Sequence, residues 1–471
     1  MTDFCFFSMS TILSLTSLGI LVLFLGIMKK QSWLLPVILL GLVVSMTLTI
    51  LEWNSFKSFF HAMIIVDNLA VAFSTVLIFS TFLIFSLAAH YYRGVQRPLD
   101  DIYGVMIFAL MGAVMMTSYG NLIMLFLGIE TLSIALYVLA GSHKEAITSN
   151  EATLKYFLLG SFLSGFLLFG IALIYGSSGS FDLQKISVYV ASCAGTYPPM
   201  FLAGLFLLII GLAFKIAIVP FHFWAPDVYE GTPTLLTAFM ATVVKTASIV
   251  AMFRFFTHTF YGIHGVWETT IWILAIVTIL LGNLTGVYQP NLKRMLAYSS
   301  ISHSGYMLLA VVAFSLMSDN ALLLYTLSYS IATILAFGIL ILIREAHGDD
   351  YFSSLNGMAR TNPLEAFCLT IAMLSLTGIP PLAGFMAKYY LFTTALEQGL
   401  VWLVIVAIAG SAISAAYYFK PIIAMYLKES EGVKLKVELS YKVHLIFMTL
   451  LVILIGLLPF FFIGLALTET S

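Results

Sequence analysis

Apolar residues run along this chain in long blocks, not in alternation and not in narrow amphipathic stripes. Each block is about 17–25 residues, the length a helix rising 1.5 Å per residue needs to cross a bilayer's hydrocarbon. The blocks lie near 10–28, 33–51, 65–89, 103–118, 121–141, 153–175, 199–220, 233–256, 268–287, 295–314, 321–343, 363–395, 401–426 and 443–466. They predict an all-α polytopic membrane protein with about fourteen transmembrane helices. Two blocks contain breakers: the seventh at Pro220, and the twelfth at Pro380 and Pro381 in "LTGIPPLAGFMAK". Proline has no N–H and cannot continue a helix without losing backbone bonds. Non-helical backbone at membrane depth persists only where protein or a water-filled cavity satisfies it. Discontinuous helices near Pro220 and Pro380 are therefore expected.

Composition agrees. Of 471 residues, 61% are hydrophobic and 9% charged, and mean hydropathy is +1.04, so lipid is the main solvent. The net charge of -1 gives no hold on nucleic acid. Cys5, Cys193 and Cys368 are scattered, with none of the spacings of a haem, iron–sulfur or disulfide framework. No metal-ligand spacing, nucleophile elbow or phosphate-cradling loop occurs. The pattern points to moving something small across a membrane.

Charge orients the chain. No basic stretch precedes the first block, and Lys29 and Lys30 follow it, which places the N-terminus outside and the first connection in the cytoplasm. On that topology thirteen Lys and Arg, from Lys29 to Lys442, fall in cytoplasmic connections. Only Lys57, Lys185 and Arg254 fall in outer ones. One misplaced span would scramble the asymmetry. An even helix number puts both termini outside. Five spans counted from the fourth, and five from the ninth, each have the interrupted span in fourth place. Odd-length blocks in tandem run in opposite directions, so two inverted five-helix repeats are expected. The chain then divides into an N-terminal three-helix segment (1–102), a first repeat (103–260), a second repeat (261–428) and a C-terminal helix (429–471).

Five lysines lie inside predicted spans: Lys155, Lys215, Lys245, Lys388 and Lys420. Among 22 acidic residues, only Glu130 lies deep in an apolar run. At about 2.5–3.5 kcal/mol per isolated charge, Glu130, Lys215, Lys245 and Lys388 would together cost roughly 10–14 kcal/mol. They must be paired, hydrated or neutralised. Desolvation favours a neutral lysine and a nearby carboxylate favours a charged one. A buried lysine whose carboxylate partner can approach or retreat can therefore load and release a proton. Lys155, near its helix end, is equally compatible with snorkelling to the headgroups, and Lys420 beside Pro421 reads as an interface anchor. His222 and His303 are helix-packing groups on position alone, although the polar run "AYSSISHSGYMLLA" around His303 could hold water.

Four stretches in order, "FLGIETLSIALYVL", "FKIAIVPFHFWAPDVYEGTPTLLTAFMATVVKTAS", "NLKRMLAYSSISHSGYMLL" and "LTGIPPLAGFMAKYYLF", resemble the antiporter-like subunits of respiratory complex I. The resemblance covers about the fourth to the thirteenth span. Within the family, the turn "PDVYEGTPT" and the lysine of "GFMAKYY" set the chain apart from types with a histidine-containing turn or a glutamate there. The resemblance implies proton translocation coupled to NADH–quinone electron transfer. It implies no cofactor in this chain: FMN, iron–sulfur clusters, NADH and quinone would be bound by other subunits. It implies K-type and M-type membrane neighbours, a peripheral redox arm and surrounding lipid as partners, with no nucleic acid, and a bacterial inner membrane with both termini periplasmic. By the same resemblance Glu130 partners Lys215, Lys245 connects the hydrophilic axis, Lys388 passes protons outward, and Lys155 matches a further family lysine. A related cation/proton antiporter or membrane-bound hydrogenase subunit, and a non-pumping scaffold, are the competing readings.

Overall fold

The computed structural model describes residues 9–93, 98–193, 195–315, 317–429 and 434–460. Cys5, Arg97, the end of the fourteenth predicted span (461–466) and both termini lie outside the described residues. Apart from a short antiparallel hairpin, β1 (Lys57–Phe59) with β2 (Ile64–Val66), the described segments are helices and their connections. In chain order they are α1 (Ser10–Ile27), α2 (Gln31–Leu51), α3 (Asn68–Tyr91), α4 (Asp100–Thr117), α5 (Leu122–Ala140), α6 (Ile147–Ser178), the short α7 (Leu183–Ser192), α8 (Pro199–Ile216) and the short α9 (Trp224–Gly231). There follow α10 (Thr234–Thr257), α11 (His264–Val287), α12 (Leu292–Ala313), α13 (Ser318–His347), α14 (Pro363–Thr377), α15 (Ala383–Glu397), α16 (Val401–Leu427) and α17 (Leu439–Leu457). Thirteen of these segments are long and apolar enough to cross a membrane. The two 15-residue helices α14 and α15 are the halves of the interrupted twelfth span.

The helices start where polar caps stand. Asn121, Asp182 and Asn291 each precede a helix, and the side chain of each accepts a hydrogen bond from a first-turn N–H, satisfying a donor that has no intrahelical partner. The spans differ in what surrounds them. α10 is buried from Thr234 to Phe256, and α12 and α13 nearly throughout. α1, α2 and α6 instead expose apolar side chains such as Leu40, Leu154 and Phe162. A helix apolar on every face and exposed on one belongs against lipid or another membrane subunit.

The chain forms two compact units. One comprises the residues up to Phe85, Tyr92–Lys215 and Val243–Gly265; the other comprises Ser86–Tyr91, Ile216–Thr242 and the chain from Val266 onward. In the first unit, Arg254 is buried and forms an ion pair with Asp67, while its Nη1 also donates to the Thr117 carbonyl at 3.2 Å. It lies inside α10 and not in an outer connection, where charge counting placed it. Glu52 accepts from Ser10 Oγ at 2.8 Å and from Thr11 Oγ1 at 3.2 Å. In the second unit Glu365 is buried, 3.7 Å from Lys442 Nζ. Glu52 and Glu365 are thus buried carboxyls, more enclosed than the half-buried Glu130, and hydropathy misses them because they sit at helix ends.

Candidate functional site

In the first unit, Glu130, Ser133 and Tyr137 follow one another on α5 at spacings of three and four, which places them on one face. Ser164 of α6 and Lys215 of α8 meet that face. Ser164 Oγ donates to Glu130 Oε1 at 2.5 Å, and Lys215 Nζ donates to Ser133 Oγ at 2.7 Å. Ser133 in turn donates to the Ile129 carbonyl. The ammonium lies 5.8 Å from the Tyr137 ring centroid and 5.5 Å from that of Phe214, within cation–π range. Lys215 is 5% exposed. The carboxylate and the ammonium share one pocket, each held by its own serine and not by the other.

Lys245, also buried, is on α10 immediately after a five-residue π-helical stretch, Met240–Val244. Such stretches are rare and recur at functional sites because they rotate the residues that follow out of helical register. Lys155 stands apart from these: it pairs with Glu151 at 2.8 Å, four residues earlier, and its side chain is 40% exposed.

In the second unit the chain leaves α8 through Ala217, which has φ 59°, a left-handed conformation uncommon outside glycine. Ser304 Oγ donates to the Ile216 carbonyl at 2.7 Å, and the Val219 N–H donates to Thr278 Oγ1 at 3.1 Å. His222 is buried with its ring 4.5 Å from that of Phe223. The turn that follows is pinned to α12. Arg294 bridges Asp227 at 3.1 Å and Glu230 at 2.5 Å. Lys293, fully buried, donates to the carbonyls of Glu230 at 3.0 Å and Thr232 at 2.6 Å. Charge counting placed Lys293 and Arg294 in a cytoplasmic connection; here they open α12. The signal for their role was present, since Asp227 and Glu230 are three apart on one helical face and two cations open α12.

The second interruption builds another lysine pocket. α14 ends at Gly378, which has φ 92° and would place a Cβ 2.9 Å from the Lys388 side chain, so conformation and space both call for glycine. Lys388, one turn into α15, reaches back across the break. Its Nζ donates to the Leu376 carbonyl at 3.1 Å, the Thr377 carbonyl at 2.7 Å and Ser411 Oγ at 2.8 Å. It lies 5.0 Å from the Tyr306 ring centroid. A small cavity next to it is lined by His303, Tyr325, Ser328 and Tyr329 among others. His303 is anchored by both nitrogens, Nδ1 to Tyr325 Oη at 2.7 Å and Nε2 to Tyr418 Oη at 3.1 Å. Among the described residues Ser328 Oγ and Tyr329 Oη have no hydrogen-bond partner, and such groups next to a cavity are where water binds. Among the described residues, no group of three His, Cys, Asp or Glu is placed to hold a metal ion.

The family described as "NADH:quinone oxidoreductase/Mrp antiporter, TM" matches residues 119–414, a stretch that contains every one of these lysines. NADH-quinone oxidoreductase subunit N of Flavobacterium psychrophilum is 42% identical over 458 residues, 96% of this chain and 98% of that one. The protein of the same name from Dehalococcoides mccartyi is 37% identical, with 95% of each chain covered. A chain in the structure of respiratory complex I from Thermus thermophilus with bound aureothin is 31% identical, superposes with a TM-score of 0.81, and covers 97% of this chain and 98% of its own. A chain of the Mrp complex from Dietzia reaches a TM-score of 0.86 at 20% identity, with coverage of 98% and 97%, which is a likeness of fold.

Proposed function

This chain belongs to the NADH:quinone oxidoreductase/Mrp antiporter transmembrane family, and from that premise we propose that it is a proton-translocating membrane-arm subunit of an NADH-quinone oxidoreductase. The observation that carries the reading is the first pocket, where a half-buried carboxylate and a buried ammonium are each held by a hydroxyl within one cluster. Such a pair changes its protonation when a charge nearby moves, because each tenfold change in a proton-binding constant corresponds to about 1.4 kcal/mol. Electrons pass from NADH through FMN and iron–sulfur centres to quinone in other subunits, and this chain answers electrostatically. Glu130 and Lys215 load the proton, Lys245 passes it on, and Lys388 delivers it toward the outer side. His303 and its cavity serve that last step, and Lys155 and His222 lie at the edge of the path. The division into 1–102, 103–260, 261–428 and 429–471, with the broken span fourth in each repeat, is supported by the breaks after Ile216 and Thr377. The membrane is a bacterial inner membrane with both termini periplasmic, and the neighbours are the K-type and M-type subunits.

The test is Lys215→Ala in native membranes, with assembly checked on a native gel. NADH–quinone turnover and NADH-driven proton uptake into inverted vesicles are recorded side by side. Loss of uptake is expected. Parent values for both would make the lysine structural and bring the scaffold reading forward.

A further inference from the structure

We propose that Ser164, Tyr137 and Ser133 form a hydroxyl relay that carries the proton between Lys215 and Glu130. The proposal rests on the reading above and supplies the connection that reading lacks, because the carboxylate and the ammonium do not touch. Both outer links are already made: Glu130 to Ser164 at 2.5 Å and Lys215 to Ser133 at 2.7 Å. What remains is a bridge between two serine hydroxyls on different helices, and Tyr137 stands there. Ser133 lies one turn before it on α5, and Ser164 one turn after Gly160, the α6 residue packed against its hydroxyl; yet among the described residues that hydroxyl has no hydrogen-bond partner, although the residue is 6% exposed.

The surroundings hold the hydroxyl in that place. The ring packs edge-on against Tyr156 and Phe157, with centroids 4.9 and 5.7 Å away. On α6 a Cβ at Gly160 would come within 2.1 Å of the Tyr137 oxygen, so the hydroxyl fits only because that residue is glycine. A phenylalanine would pack as well and avoid leaving a buried donor unpaired. A hydroxyl kept free between two bonded hydroxyls has the arrangement of an open switch. Closing it needs Ser133 to turn its O–H from the Ile129 carbonyl toward Tyr137, and Tyr137 to donate to Ser164.

The transfer balances without a co-reactant. An N–H bond of the Lys215 ammonium breaks and its proton goes to Ser133 Oγ. The Ser133 proton goes to Tyr137 Oη, the Tyr137 proton to Ser164 Oγ, and the Ser164 proton to the Glu130 carboxylate. Each hydroxyl loses one O–H and gains one. The products are a lysine amine and a glutamic acid, no electrons move, and the reverse shift restores the pair.

The experiment uses the assembled complex in inverted native vesicles and compares Tyr137→Phe, Ser164→Ala and Glu130→Gln with the parent. Proton uptake is read together with the infrared band of a protonated carboxyl, which the relay predicts on NADH addition in the parent and not in Glu130→Gln. Tyr137→Phe keeps the ring and the cation–π contact, so a purely structural tyrosine would leave both readouts unchanged. The relay predicts at least a threefold drop in uptake rate and a matching loss or delay of the band. If Tyr137→Phe does not assemble, Ser164→Ala removes the neighbouring link and carries the same expectation. Parent behaviour in the assembled relay variants, with uptake lost in Glu130→Gln, overturns the relay and leaves the pumping reading standing. Parent uptake in Glu130→Gln as well overturns both.

Discussion

Lys388→Met separates the two things the second lysine does, because it keeps the bulk of the side chain and removes the charge. In the parent all three ammonium protons are used, on the Leu376 and Thr377 carbonyls and Ser411 Oγ. Ser411 Oγ also donates to the Thr377 carbonyl at 3.0 Å, so that carbonyl keeps a partner in the variant. Only the Leu376 carbonyl is stranded, at about 1–3 kcal/mol for a buried polar group left unpaired. Against this, taking a charge out of a membrane span returns roughly 2.5–3.5 kcal/mol. The two nearly cancel, so the variant is expected to assemble to parent levels on a native gel after a graded heat step. Proton uptake is expected to fall at least tenfold, since the charge-carrying group next to the His303 cavity is gone. An assembled Lys388→Met complex that pumps like the parent would show that the ammonium merely seals a helix end. Failure to assemble would refute the cancellation and with it the reading of the carbonyl bonds.

Two further variants probe charges whose surroundings differ from what spacing suggests. Arg254→Ala strands Asp67, which is 21% exposed while Arg254 is 4% exposed; breaking such a pair costs about 3–5 kcal/mol, so the assembled complex should lose heat resistance on a native gel, and Arg254→Ala with Asp67→Asn should recover part of it. Unchanged heat resistance in Arg254→Ala would mean the pair contributes nothing. Lys155→Ala removes an i,i+4 pair with Glu151 worth about 0.3–0.5 kcal/mol, so assembly should be unaffected and more than half of the proton uptake should remain. A loss as deep as that of Lys215→Ala would move Lys155 into the first pocket's path.

Helix count, the two interruptions and the buried lysines were legible in the sequence because each is a local signal: block length, a proline, a charge in an apolar run. The serines that hold Glu130 and Lys215 were not. Ser133 and Ser164 are unremarkable in spans where serine is frequent, and only the packing of α5 against α6 tells them from their neighbours. Tyr137 was hidden in the same way, since an aromatic at a helix face reads as packing until its hydroxyl is found unpaired. The buried contact of Lys293 was missed for the opposite reason. The lysine sits at a helix start, where a cation is normally solvated, and nothing local says that the Glu230–Thr232 turn folds over it.

The two broken spans share a rule that accounts for which groups do the repair. In a helix the carbonyl of residue n accepts from the N–H of residue n+4, so a proline frees the carbonyl four residues before it. Pro220 frees Ile216; Pro380 and Pro381 free Leu376 and Thr377. Those are the carbonyls found bonded to side chains: Ile216 to Ser304, and Leu376 and Thr377 to Lys388. The repair differs in kind. At the first break a neutral hydroxyl takes the freed carbonyl, which leaves the Lys215 ammonium for Ser133 and the Glu130 pocket. At the second break the ammonium itself takes both carbonyls at the negative end of α14, where a cation is favoured. Lys388 therefore holds its charge without a carboxylate, and Lys215 works with one. On the pumping reading proposed above, a proton on Lys215 answers to anything that moves Glu130, whereas a proton on Lys388, held by the carbonyls of the break, answers to the geometry of that break more than to an approaching counter-charge.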